Sequence, residues 1–225
     1  MFTPKFFEFY RALEKNNNRD WFNAHKSEYL QNVVEPMCAF IDAMAPRLQK
    51  LSPHFIADSR PYGGSMFRIY RDARYTGGKR PYKEHAACQF RHQQGRDAHT
   101  VGFYLHASTG EAVFGGGIWL PPNDELLKIR NTIVDNPHAW RRIKSSPAVK
   151  KYFGGISGDG LKRPPRGFDA EHEHIDDIKR KTFFLMRREP PEIILDDGFV
   201  REVEKTYKAA MPLMEYLCYA QDIEI

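Results

Sequence analysis

The sequence predicts an α+β fold: an antiparallel β-meander of about four or more strands, flanked by N-terminal and C-terminal helices. Apolar residues recur at helical spacing over the first fifty residues and again beyond residue 120, whereas between residues 63 and 119 the period falls to two. Helices, then strands, then helices is the order of an α+β chain rather than a doubly wound one. A chain of 225 residues without internal repeats can bury one full core. The expectation is a single domain over 1–225, helical over 1–55, sheet over 60–120, helical and mixed over 121–225.

Phe2 precedes Thr3 as a cap and Pro4 stands at a first helical position, after which Phe6, Phe9, Tyr10 and Leu13 share a face. Asn16, Asn17 and Asn18 end that helix. A second starts near Arg19 with Trp21, His25 and Tyr29 in a stripe, which places His25 in the core. Pro36 opens or kinks a third, carrying Phe40, Ile41, Met44 and Leu48. From residue 63, Phe67 and Ile69 alternate with Arg68 and Tyr70 as on a half-buried strand, and runs at 86–92, 99–107 and 111–119 complete the meander. Asn123, Asn136-Pro137 and Ser146-Pro147 then mark three short helices. The stretch GGISGDGLKRPPRGF at 154–168 reads as a long loop. A short helix over 171–180, a strand-like TFFLM at 182–186, and a final helix with Val200, Val203, Tyr207, Ala210, Met214 and Leu217 on one stripe complete the chain. Pro212 is expected to bend that last helix.

Composition narrows the function classes. With 41% hydrophobic and 28% charged residues the chain has the balance of a globular protein, not a disordered one. No apolar run nears the roughly 20 residues of a membrane span, and MFTPKFFEF lacks the layout of a signal peptide, so a cytoplasmic location without membrane contact is expected. Cys38, Cys88 and Cys218 lie too far apart for a thiolate metal motif or a disulfide framework and read as buried thiols. The net charge of +5 is concentrated: residues 60–85 hold seven basic and two acidic side chains, and the remainder is balanced. Such a local excess attracts phosphates, carboxylates or nucleic acid backbones.

On a strand, Arg68, Tyr70 and Asp72 would share a face, with Asp72 orienting a neighbouring arginine and the guanidinium forks pairing with an anion. Arg71, Arg74, Lys79, Tyr82, Lys83 and Trp119 join them as candidate ligand-binding residues, because the glycines in GGKRPYKEH can fold the basic segment back over the arginine face. A structural ion-pair network is the competing reading. His106 alternates with Tyr104 and opposes Val101, Phe103 and Leu105, which makes it a candidate general acid or base together with His85. Gly115, Gly116 and Gly117 fit a bulge or a close approach rather than a nucleotide fingerprint. His172, His174, Asp176 and Asp177 carry metal-ligand types, but His172 and Asp176 alone do not make a site, so none is assigned. No phosphate loop, nucleophile elbow or paired metalloprotease histidines occurs, and the cofactor is left unknown.

Several phrases, NNNRDWFNAHKSEY at 16–29, GGSMFRIYRDARY at 63–75, RPYKEH at 80–85, FYLHAS at 103–108, GGGIWLP at 115–121, LKRPPRGF at 161–168 and HEHIDDIKRKTF at 172–183, resemble in order those of a bacterial family, domain of unknown function 2461. The resemblance brings no activity with it. It implies that Arg68, Tyr70, Arg71, Asp72, Arg74, Pro81, Tyr82, Lys83, His106 and Gly115 to Gly117 are shared positions. Glu173 departs from it, because relatives often have proline after the histidine that matches His172.

Three readings follow. The first is a pocket on the sheet for a small anionic ligand, carboxylate or phosphate, with arginines and Lys83 stabilising charge and His106 or His85 moving a proton. The second is an interaction or scaffold protein with an internal arginine network. Nucleic acid binding ranks third: Tyr70, Tyr75 and Tyr82 can stack on bases, but the charge is confined to one segment and no recognised module is present.

Overall fold

The computed structural model describes residues 1–72, 74, 79–95 and 97–225. Tyr75, Gly77 and Gly78 of the basic segment lie outside the described residues. Helix α1 (Pro4–Lys15) buries Phe6, Phe7, Phe9, Tyr10 and Leu13. Thr3 contributes its carbonyl, which accepts the Phe6 N–H at 3.0 Å, and its side chain makes no cap bond. Helix α2 (Arg19–Ala24) is capped by the Asn18 side chain, which accepts the Trp21 N–H.

Helix α3 (Lys26–Tyr29) passes through a π-helical turn at Leu30–Val34 into α4 (Glu35–Leu51). The wider turn rotates the apolar stripe. Pro36 lies inside this continuous helix, directly after the π-helical turn, so the N–H it lacks is an interior donor and the expected opening of a helix there does not occur. His25 is half-buried instead of in the core: its ring stacks on Trp21 at 4.1 Å, and Nδ1 lies 2.8 Å from the Trp21 carbonyl.

Four antiparallel strands, β1 (His85–Arg91), β2 (Gly102–Ser108), β3 (Ala112–Ile118) and β4 (Phe183–Glu189), lie in the order β1-β2-β3-β4. Three match expected runs and the fourth is the run that begins with TFFLM. The expected strand from residue 63 forms no regular ladder. Residues 65–71 run beside β1 and the chain before it through isolated bridges, Met66 to Cys88 and Tyr70 to Tyr82. Met66 and Ile69 are buried, three positions apart, with Phe67 half-buried and Arg68 exposed between them, so the strict alternation of a strand is broken.

Helices α5 (Asn123–Asp135), α6 (Pro137–Ser145) and α7 (Pro147–Phe153) follow β3. Asn123 is the first residue of α5 and Pro122 holds the cap position, a one-residue shift from expectation. Within 154–168, Ser157 and Gly160 make single bridges to Phe184 and Arg180. The helix expected over 171–180 shrinks to α8 (Ile175–Ile178). A 3-10 turn at Pro191–Leu195 leads to the long α9 (Phe199–Ala220), which contains Pro212.

Helix α9 crosses one face of the sheet. Phe90, Phe103, Leu105, Phe114 and Leu185 point into it and are fully buried with Tyr207, Leu213 and Met214. Tyr207 stacks on Phe103 at 4.5 Å and donates its hydroxyl proton to the Tyr104 carbonyl at 3.1 Å. Gly116 permits this contact, because a Cβ there would lie 2.8 Å from Met214 Sδ. Among the described residues no helix is long and apolar enough to cross a membrane. Cys88 and Cys218 are buried and Cys38 is half-buried, all three as free thiols.

Candidate functional site

The opposite face of the sheet carries alternate residues: His85, Ala87 and Gln89 from β1, Gly102, Tyr104 and His106 from β2, Val113, Gly115 and Gly117 from β3, and Phe184, Met186 and Arg188 from β4. Register orders them in rows. Ala87, His106, Val113 and Arg188 cross the sheet in one row, and Gly102, Gly117 and Phe184 cross it at the other end. The small floor leaves a hollow of about 450 Å³, walled by Phe67 and Lys83 on the β1 side and by Thr100 and Trp119 at the glycine end.

Glycine is required beneath this floor for a backbone reason. A Cβ at Gly115 would sit 1.8 Å from the Leu185 carbonyl oxygen, and one at Gly117, whose φ is +151°, would sit 2.2 Å from that of Phe183. The triple glycine therefore serves two sides of the sheet: Gly116 admits α9, while Gly115 and Gly117 admit β4.

Lys83, His85, His106 and Arg188 gather at one end. The rings of His85 and His106 lie 5.2 Å apart. His106 Nε2 is 3.6 Å from Glu111 Oε1, and the other oxygen of Glu111 accepts from Arg188 at 2.6 Å. Lys83 donates to the Arg68 carbonyl at 3.0 Å and lies 5.5 Å over the Phe67 ring. Burial, then the neighbouring His106, Lys83 and Arg71, pull the pKa of His85 down to about 4 against a small opposing effect of Glu84. Burial also lowers His106, although Glu111 opposes it. The ammonium of Lys83 is lowered by burial and by Arg68 and Arg71. Burial pushes the Tyr104 hydroxyl up to about 12. At neutral pH this end therefore presents neutral imidazoles beside cations, a set able to hold an anion and to accept a proton.

Of the residues nominated from the sequence, the structure brings Lys83, His85, His106 and Trp119 to the hollow. The others lie elsewhere. Arg71 donates from Nε to the Tyr82 carbonyl at 2.7 Å and approaches Glu84 at 3.5 Å, and Arg80 pairs with Glu84 at 2.9 Å. Arg74 forks onto Asp72, whose carboxyl it pulls down to about 2. Tyr82 is buried, stacked on Phe22 at 4.1 Å. Tyr70 is half exposed at the edge of that ring pair. Arg68 and Lys79 are exposed, and among the described residues neither side chain has a hydrogen bond or ion pair. Arg188, Phe67, Tyr104, Phe184 and Met186 line the hollow without having been nominated. Extending the TFFLM alternation by one step, past Met186, reaches Arg188. Phe67 had no such signal, because its segment departs from strand geometry.

The cluster at 172–177 is occupied by its own neighbours. Asp177 is buried and accepts from Trp140 Nε1 at 2.9 Å, Lys144 Nζ at 2.7 Å and Arg180 Nε at 3.0 Å. Burial pushes its carboxyl up, but those three donors outweigh it and its pKa falls below the ordinary value. His174 lies 3.1 Å from the Pro137 carbonyl, and Asp176 pairs with Lys179. Among the described residues no group of three or more His, Cys, Asp or Glu side chains is arranged to hold a metal ion.

No curated protein and no solved structure matches the chain. A family model described as a conserved hypothetical protein, DUF2461, matches residues 5–216. That span takes in the whole of the sheet, the basic segment and the hollow, and on it the chain belongs to the conserved hypothetical protein family DUF2461.

Proposed function

We propose that the hollow binds a small organic anion, an apolar body bearing one carboxylate or phosphate. One observation carries this reading: Lys83, His85, His106 and Arg188 converge at one end of a concave face whose other end is glycine, Phe184 and Trp119. A charged head would be held by the lysine and the guanidinium fork, and the body would lie on small residues against rings. Where the ligand is turned over, His85 or His106 accepts the proton, because a neutral imidazole at the anion-binding end has a free nitrogen lone pair.

The test is a melting-temperature screen of alkyl and aryl carboxylates, phosphate monoesters, oligonucleotides and divalent metals. One class of organic anion should raise the melting temperature in proportion to the logarithm of its concentration. Lys83→Ala and Arg188→Ala should each weaken that ligand roughly tenfold or more, as expected for charge-assisted bonds, and Arg68→Ala should leave it unchanged. Absence of a shift with every organic anion would reject the reading.

A scaffold role is the second reading, and one observation favours it. Arg71, Arg74 and Arg80 are each answered by the protein's own carboxylates or carbonyls. It would stand if the screen were silent and Arg71→Ala lowered stability.

A further inference from the structure

Strand β4 is an edge of the sheet, and only part of that edge is covered. The main chain of Phe184 points away from β3 and pairs with Ser157, accepting its N–H at 2.8 Å and donating in return at 3.1 Å. Strand parity sends the N–H and C=O groups of Met186 and Arg188 the same way. Among the described residues these four groups have no hydrogen-bond partner. The covering segment cannot continue past Ser157, because Gly154 and Gly155 take φ values of +72° and +152° and turn the chain toward the C-terminus of α7. Beside the open edge lies a second cleft of about 640 Å³, bounded by the end of α7, β4 and α9.

The geometry points to this edge as a docking site for an extended, acidic peptide segment of a partner protein, which would add a fifth strand beside Met186–Arg188. Main-chain bonds would supply the pairing and the cleft would take alternate side chains. Charge selects the partner. Within the cleft Arg187 is satisfied by Glu189 and Glu202, and Arg188 gives one donor, Nη1, to Glu111. Lys151 has no carboxylate partner among the described residues, and Lys205 reaches Glu202 only at 3.5 Å, behind Arg187 at 2.7 Å. A second copy of this chain fits poorly, since antiparallel pairing of two β4 edges would bring Arg188 and Lys151 of both copies together.

The experiment measures binding of two labelled hexapeptides, alternating valine and glutamate or valine and lysine, by fluorescence anisotropy. The glutamate peptide should bind at least tenfold more tightly, Lys151→Glu should erase or invert that preference, and Met186→Pro should lose at least tenfold. Proline is tolerated at an edge position whose N–H faces outward. In the unmodified protein the Met186 and Arg188 amides should exchange with deuterium at least tenfold more slowly when saturated with the glutamate peptide. Equal binding of the two peptides, no binding at millimolar concentration, unchanged exchange, or a protein dimer abolished by Met186→Pro would each overturn the proposal.

Discussion

Around Asp177 the protein directs three donors from α6 and the turn after α8 onto one buried carboxylate. Around His85 it gathers two imidazoles, a lysine and an arginine, and offers them a single carboxylate, Glu111, while Glu84 turns instead to Asn17, Arg71 and Arg80. Both regions hold histidines and charges, yet one is closed by its own partners and the other faces a cavity. A polar cluster satisfied internally belongs to stability; one left short of counter-charge beside a hollow is available for a ligand.

The largest effect should come from breaking the closed cluster. Asp177→Ala leaves Trp140 Nε1, Lys144 and Arg180 without their acceptor and should cost about 3–5 kcal/mol in denaturant unfolding. A loss under about 1 kcal/mol would show that the cluster is not what closes this corner. Gly115→Ala comes next: the new methyl meets the Leu185 backbone, β4 must shift, and the expected cost is about 2–3 kcal/mol, read in the same assay.

Acidification separates the two clusters further. His85 falls from an ordinary 6.5 to about 4 on folding, so over that window the unfolded chain binds more protons than the folded one. Stability should therefore decline as pH drops from about 6.5 to about 4, by on the order of 2–3 kcal/mol at the acidic end. His85→Gln should flatten the decline. It should not abolish it, because His106 is shifted in the same direction. A pH profile identical to that of the unmodified protein would contradict the burial argument. The smallest effect belongs to His106→Ala at neutral pH, about 1 kcal/mol or less in unfolding, since that half-buried ring meets Glu111 only at 3.6 Å and otherwise makes ring contacts with His85 and Tyr104.

Periodicity carried the architecture. Alternation in 86–92 and 99–107 marked two strands, the run at 111–119 a third and TFFLM the fourth, although Ala112–Ile118 are buried throughout, so the period expected of 111–119 does not appear in the burial of β3. The segment 65–71 carried a similar pattern but packs through isolated bridges, with buried side chains at Met66 and Ile69, so period two misplaced Phe67. The site was partly legible for the same reason. His106 and His85 could be placed on a face by counting along their strands. Where Arg71 would point depended on a contact across the chain, to the Tyr82 carbonyl, whereas Arg188 follows Met186 by one strand step and lay just beyond the run TFFLM. Basic composition pointed to the right stretch of chain for Lys83 alone. Arg71, Arg74 and Arg80 close on acids no more than 13 positions away, so a local charge count overstates what is free.

The alternation along β2 also has a practical side. Phe103, Leu105 and Ala107 hold the interior, whereas Tyr104 and His106, interleaved with them, touch only the cavity side through their side chains. If the hollow binds the anion proposed above, its selectivity would be open to change at every second position with little penalty to folding, provided the intervening residues stay fixed. A library that randomises 104 and 106 together with 85 and 188 explores ligand preference on an unaltered scaffold.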